Sequence, residues 1–232
     1  MGLISTFGML GRTATLHVYA PSEFEPILHQ QIEFFCTGLE YAIEFHGIDT
    51  TQNKIVFEDR SLTVETIPLV HRISCCGYVF REKPLLRHIR RDMIDCYEIP
   101  ISQINNIKLG ADWITDDGEV IPNEKLTVPA DKARSYAYCS DTRYQPELYK
   151  SLEDVDTLYH ESTYASDNEK RARQYYHSTA RQAAMVARDA HVNKLLLGHY
   201  SARYDDETVI LKEAKEIFPN SYLTDEGKVF DV

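Results

Sequence analysis

The chain has 232 residues, 43% of them hydrophobic and 26% charged, enough for one sizeable core; a peptide hormone, a collagen-like chain and a disordered tail are excluded. With 25 basic and 36 acidic side chains the formal charge is −11 at pH 7, so nucleic acid is not attracted by the surface as a whole and RNA contact requires a local basic patch. The five cysteines include the adjacent pair Cys75 and Cys76, and none has C-x-x-C spacing, which argues against a secreted disulfide framework and for a reducing, cytoplasmic setting. The opening residues lack a basic n-region and a small-residue cleavage site, and no apolar run approaches the length of a membrane span.

In chain order, GLISTFGMLGR predicts a helix closing at Gly11, and TLHV a strand that ends at Ala20-Pro21. Residues 23–38 place Ile27, Ile32, Phe34 and Phe35 near helical spacing. AIEFHGI, KIVFED and SLTVETIPLV then alternate as strands do, and a run of antiparallel β is the simplest reading. After GYVFRE the pattern breaks into a mixed basic and amphipathic stretch, read as an inserted arm over about residues 81–115; Asp117-Gly118 suits a hairpin turn just beyond it. From residue 135 strand and helix alternate: SYAYC, DVDTLYHES, a helix over 179–190, the buried-type strand KLLLGH, the helix TVILKEAKEIF and a closing strand YLTDEGKVFDV. This half is α/β, and the whole reads as one domain, 1–232, carrying the arm.

The informative pattern is where polar residues fall. Val70-His71, Cys139-Ser140-Asp141, Tyr159-His160-Glu161 and Gly198-His199 each follow a strand-like apolar run, and strand ends in layered α/β folds converge on one edge. Two imidazoles and a carboxylate gathered there suit zinc or manganese, which accept both neutral nitrogen and hard oxygen donors. Taken singly, each histidine reads as a satisfied structural residue. His177 opens the helix HSTARQAAMVARDA, with Ser178 as N-cap and Gln182 one position too far for a capping box. An imidazole at that place can protonate a leaving oxygen, and Glu161 can orient it. Between residues 81 and 91 stand Arg81, Lys83, Arg87, Arg90 and Arg91 against one acidic residue; the stretch suits several phosphates, or else is the solvated face of a short helix.

Read as a set, VHRISCCGYVF, AYCSDTRY, LYHEST, YYHSTARQAA and LLLGHYSARY resemble the motif segments of the ribonuclease Z family, in that family's order. GLISTFGMLGR is similar to the stretch following the family's first metal motif, so the resemblance covers essentially the whole chain. It implies a metallo-β-lactamase-like αββα sandwich and an endoribonuclease that removes the 3′ trailer from precursor tRNA, leaving a 3′-hydroxyl on the tRNA. By this resemblance His71 ligates one metal, Asp141 bridges two and His199 ligates the second. His177 helps the 3′ oxygen leave, Arg203 holds a substrate phosphate, and the arm bearing Arg81 to Arg91 grips the tRNA. Two zinc ions per subunit, with manganese as a substitute, and a homodimer are implied in the same way. Cations in such a site lower the pKa of the attacking water and neutralise charge in the transition state.

One departure stands out. The family's H-x-H-x-D-H motif has no counterpart, since no two histidines here stand two apart. The expectation is a domain truncated at its N-terminus, in which His71, Asp141 and His199 supply fewer donors than two zinc ions use, so that activity is impaired and a sheet edge is left open. The competing readings are a phosphodiesterase of the same fold acting on a small diester, and a noncatalytic RNA-binding fragment or subunit.

Overall fold

The computed structural model describes residues 1–36 and 38–232. Contacts divide these into two compact units, one of Met1–Arg81 with Ser135–Val232, the other of Glu82–Arg134.

The first unit opens with α1 (Gly2–Met9), β1 (Leu16–Pro21) and α2 (Glu25–Phe35), followed by β2 (Ile43–Ile48), β3 (Lys54–Glu58), β4 (Leu62–Pro68) and β5 (Cys76–Glu82). A 3₁₀ turn at Ser22–Phe24 takes the first positions of the helix expected over residues 23–38; within that range, Thr37 lies outside the described residues. Of the expected antiparallel run, β3 and β4 do pair antiparallel, Lys54 opposite Thr66 through Glu58 opposite Thr63, but β2 stands outside it in a separate parallel pair with β1, Leu16 opposite Ile43 through Pro21 opposite Ile48. A parallel pair needs a crossover, and α2 supplies it. Leu16, Val18, Ile43 and Phe45 pack on a core of Ile4, Leu28, Cys36 and Tyr41.

The second unit holds β6 (His88–Ile89), α3 (Arg91–Cys96), α4 (Ile101–Lys108), β7 (Trp113–Ile114), β8 (Val120–Ile121), α5 (Asn123–Leu126) and β9 (Thr127–Val128). Ile99, Ile107, Ile121 and Leu126 form its core. Buried Asn123 ties it together, its amide donating to the carbonyls of Ile107 and Ala111, each at 2.7 Å. The hairpin expected at Asp117-Gly118 is present: Gly118 has φ +82° and β7 pairs antiparallel with β8. The basic stretch is not a helix face. It runs through β6, and only Arg91 enters α3.

The chain then returns to the first unit with β10 (Ser135–Cys139), β11 (Thr157–Glu161), α6 (Glu169–Tyr175), α7 (Ala180–Asp189), β12 (Lys194–Gly198), α8 (Thr208–Lys215) and β13 (Ser221–Leu223). The large sheet has the order β13-β12-β11-β10-β5-β4-β3. Strands β10 to β13 are parallel, and β5 joins β10 antiparallel. Both faces of β12 are covered, which is why KLLLG reads as an unbroken apolar run. Ala180, Ala183, Ala184 and Ala187 follow helical spacing and are fully buried, so α7 presents a smooth small-residue face to a core that includes Leu158, Leu195 and Leu197. The closing strand is shorter than YLTDEGKVFDV predicts: it ends at Leu223, and Lys228 N–H turns back to the Asp225 carbonyl.

Candidate metal centre and active site

The register of the parallel strands sets Cys139 beside His160 and Leu197, and Glu161 beside Gly198. The residues just past these ends therefore emerge along one edge of the sheet. Asp141 and His199 leave it through left-handed backbone turns, at φ +54° and +60°. Such conformations are uncommon outside glycine, and where held they cluster at functional sites. Because β5 runs antiparallel to β10, the loop carrying His71 arrives at the same edge.

Glu161 is fully buried and accepts four hydrogen bonds. Thr142 N–H and His177 Nδ1–H reach Oε1 at 2.7 and 2.9 Å; Thr163 Oγ1–H and Ser178 N–H reach Oε2 at 2.6 and 3.0 Å. Burial pushes its pKa up, but the bonds from His177, Thr163 and Ser178 outweigh that and hold it below the usual carboxylate value. The same hydrogen bond, donated to Glu161, raises the pKa of His177 against its partial burial, with the charges of Glu161 and Asp141 adding to the rise.

The available protons fix the tautomers of three imidazoles. Thr163 gives its only hydroxyl proton to Glu161, so His199 Nδ1, 2.8 Å from Thr163 Oγ1, must be the donor there. His177 Nδ1 donates to a carboxylate, and His71 Nδ1 to the Tyr176 carbonyl at 3.1 Å. In each neutral ring the lone pair is thus on Nε2. His199 Nε2 lies 3.0 Å from Asp141 Oδ1, and among the described residues no hydrogen bond engages Nε2 of His71 or His177. Anchoring one ring nitrogen by the protein and leaving the other free is how metal-binding histidines are set.

Asp141, Glu161, His177 and His199 each offer a ligating atom within 4.8 Å of one another. His71 is not in that set, but its ring centroid is 5.2 Å from that of His177, which is in turn 5.2 Å from that of His199. Glu161 is saturated by its four donors and so acts as an anchor. Asp141, His177 and His199 keep an open ligating atom, a mixed oxygen and nitrogen set of the kind a borderline divalent metal accepts, and His71 stands beside His177 outside that group. Cys75 Sγ–H donates to the Asp141 carbonyl, and burial, then the charges of Cys76, Asp141 and Glu161, push its thiol up to about 11.

Two corrections concern α7. Its N-cap is Thr179, not Ser178: Thr179 Oγ1 accepts from Gln182 N–H and the Gln182 side chain accepts from Thr179 N–H, a full capping box. Ser178 Oγ instead donates to the Thr142 carbonyl. Three other residues are given no role by the sequence, although Thr163 and Arg143 stand inside the segments LYHEST and AYCSDTRY. Thr163 bridges Glu161 and His199, and Arg143 and Arg173 line a cavity of about 310 Å³ together with His177. Arg203 is exposed on the loop after β12. Arg81 is at the end of β5, while Lys83, Arg87, Arg90 and Arg91 belong to the second unit.

No protein-family profile matches the chain. Its sequence is 53% identical over 227 residues to Ribonuclease Z of Bacteroides fragilis, covering 98% of this chain and 75% of that protein. With Ribonuclease Z of Porphyromonas gingivalis it is 43% identical over 231 residues, covering 100% and 76%. The chain belongs to the ribonuclease Z family. Among solved structures, the short form of human tRNase Z superposes with a TM-score of 0.60 at 17% identity, over 99% of this chain and 72% of that one. The metallo-β-lactamase fold protein YhfI from Bacillus subtilis gives 0.61 at 16%, over 99% and 71%. These two likenesses establish the metallo-β-lactamase fold. Membership in the ribonuclease Z family makes this a chain of a metal-dependent hydrolase, an endoribonuclease of tRNA processing. It spans about three quarters of the length of the relatives it matches.

Proposed function

We propose that this member of the ribonuclease Z family acts on precursor tRNA in the cytoplasm, as a homodimer, cutting after the discriminator nucleotide to release the 3′ trailer. The observation that carries the reading is the set of three imidazoles whose Nδ1 atoms are tied down by protein acceptors, beside Asp141. His71, Asp141 and His199 would hold zinc, or manganese in its place. The bound metal supplies a water of lowered pKa and charge neutralisation at the phosphorus.

The remaining work falls to the chain's own residues. His177, its pKa raised by Glu161, carries a proton at Nε2 for the departing 3′ oxygen. Glu161 positions that ring and does not itself touch the substrate. Arg203 would hold a substrate phosphate, and Arg81, Lys83, Arg87, Arg90 and Arg91 would contact the tRNA body away from the cut. Cleavage should therefore depend on added metal.

The test is incubation of the chain with a 3′-extended precursor tRNA and Zn²⁺ or Mn²⁺, with products mapped at nucleotide resolution. A cut after the discriminator, slowed about 100-fold or more by His177→Ala, is expected. Hydrolysis of a nitrophenyl phosphodiester without cleavage of the tRNA would replace this reading with that of a small-diester enzyme. Salt-sensitive tRNA binding with no cleavage under either metal would make the chain a noncatalytic RNA-binding subunit.

A further inference from the structure

A second group of metal-ligating side chains lies on the other sheet. β1 and β2 are parallel, with His17 opposite Glu44 and Tyr19 opposite His46. Side chains alternate along a strand, so these four share the face opposite the one that packs on Ile4, Leu28, Cys36 and Tyr41. His17 Nδ1 is 2.9 Å from His46 Nε2. One Glu44 carboxylate oxygen stands 3.6 Å from His17 Nδ1 and the other 3.6 Å from His46 Nε2. The side chains are open to solvent, with relative exposures of 46% for His17, 58% for Glu44 and 31% for His46. The ring of His46 is nevertheless held in place, stacked on Tyr19 at 4.5 Å between centroids and 13° between planes.

Two ring nitrogens at hydrogen-bonding distance cannot present lone pairs to each other, so either a proton or a cation must lie between them. Bonds of 2.0–2.1 Å in a tetrahedral zinc site put neighbouring donors about 3.3–3.5 Å apart. The separations here, 2.9 to 3.6 Å, bracket that spacing, and a few tenths of an ångström of side-chain motion would regularise them. Two imidazoles and one carboxylate form a borderline donor set that favours zinc and its transition-metal neighbours over calcium or magnesium, which take oxygen ligands. The formal charge of −11 further favours cation capture.

We infer that His17, Glu44 and His46 form a second transition-metal site, separate from the Asp141 cluster, with three protein donors and a fourth position for water. One donor comes from β1 and two from β2, so the ion acts as a clip across a two-stranded sheet. Such a sheet is marginal by itself, and a ligand bound only by the paired strands stabilises them by mass action.

The test uses the full chain, stripped with EDTA, carrying Asp141→Ala and His199→Ala to silence the other cluster. Titration with Co²⁺, followed by its visible absorption, and with Zn²⁺ by calorimetry should give one ion per chain at pH 8. Adding His17→Ala and His46→Ala should remove that ion and the metal-dependent rise in melting temperature. Glu44→Gln, which keeps the imidazole pair, should weaken binding about tenfold or more. Far-UV circular dichroism of the metal-free variants checks that they remain folded. Unchanged stoichiometry after loss of both histidines, or no ion bound in the silenced background, would overturn the inference. Neither result bears on the Asp141 cluster, which is absent from every arm of the experiment.

Discussion

Glu161 concentrates more of the site's order than any other side chain, since it fixes His177, Thr163 and two backbone amides at once. Glu161→Gln would put an NH₂ where only acceptors fit and leave buried donors unpaired, at a cost of about 3 kcal/mol. The pH dependence follows from two opposed shifts. The lowered carboxyl contributes stability above its ordinary pKa of 4.5 and loses it as pH falls through the folded value; the raised imidazole contributes below its ordinary 6.5 and loses it as pH rises through its folded value. Urea midpoints of the EDTA-treated protein should therefore differ most from those of Glu161→Gln between about pH 4.5 and 6.5. The gap should close toward stronger acid. A gap independent of pH would show that the pair is not ionised in the folded state. Glu161 is legible in the sequence as a polar residue ending an apolar run. That Thr163 joins Glu161 to His199 is not, because the histidine stands 36 residues farther along the chain.

At the scale of elements, α7 shows what local pattern can and cannot decide. Its Ala180/Ala183/Ala184/Ala187 stripe and its length are legible from helical spacing alone. Its cap is not, since Ser178 and Thr179 are both good N-caps and the choice is made by the Thr142 carbonyl, 36 residues away, which takes the Ser178 hydroxyl. Thr179→Ala should lower stability by about 1 kcal/mol, read as a shift in the urea midpoint, while Thr179→Ser should restore most of it. The pairing of β1 with β2 escapes sequence reasoning for a related reason. Alternation reveals a strand and its buried face, but the direction of its neighbour depends on the crossover.

Across the whole molecule, an acidic chain of charge −11 is assigned an RNA substrate, so its cations must be placed where they count. Within the second unit those cations are not equivalent. Arg90 makes a two-pronged bond to Asp92, and Arg87 Nε donates to Thr127 Oγ1 at 2.7 Å, whereas Arg91 is exposed with no ion pair among the described residues. Filter binding of precursor tRNA over a range of salt should show Arg91→Ala lowering both the affinity and the steepness of log Kd against log salt, by roughly 0.7–0.9 for each phosphate no longer neutralised. Arg90→Ala should change that slope less, because Asp92 already neutralises it.

The left-handed turns at Asp141 and His199 place durability and chemistry in opposition. Glycine adopts that backbone without steric penalty, so a chain selected only to withstand heat would carry it at both positions. His199→Gly should then cost little in melting temperature while erasing metal affinity at this edge. The two residues thus record a compromise, a modest sacrifice of robustness accepted to keep reactive groups aimed outward.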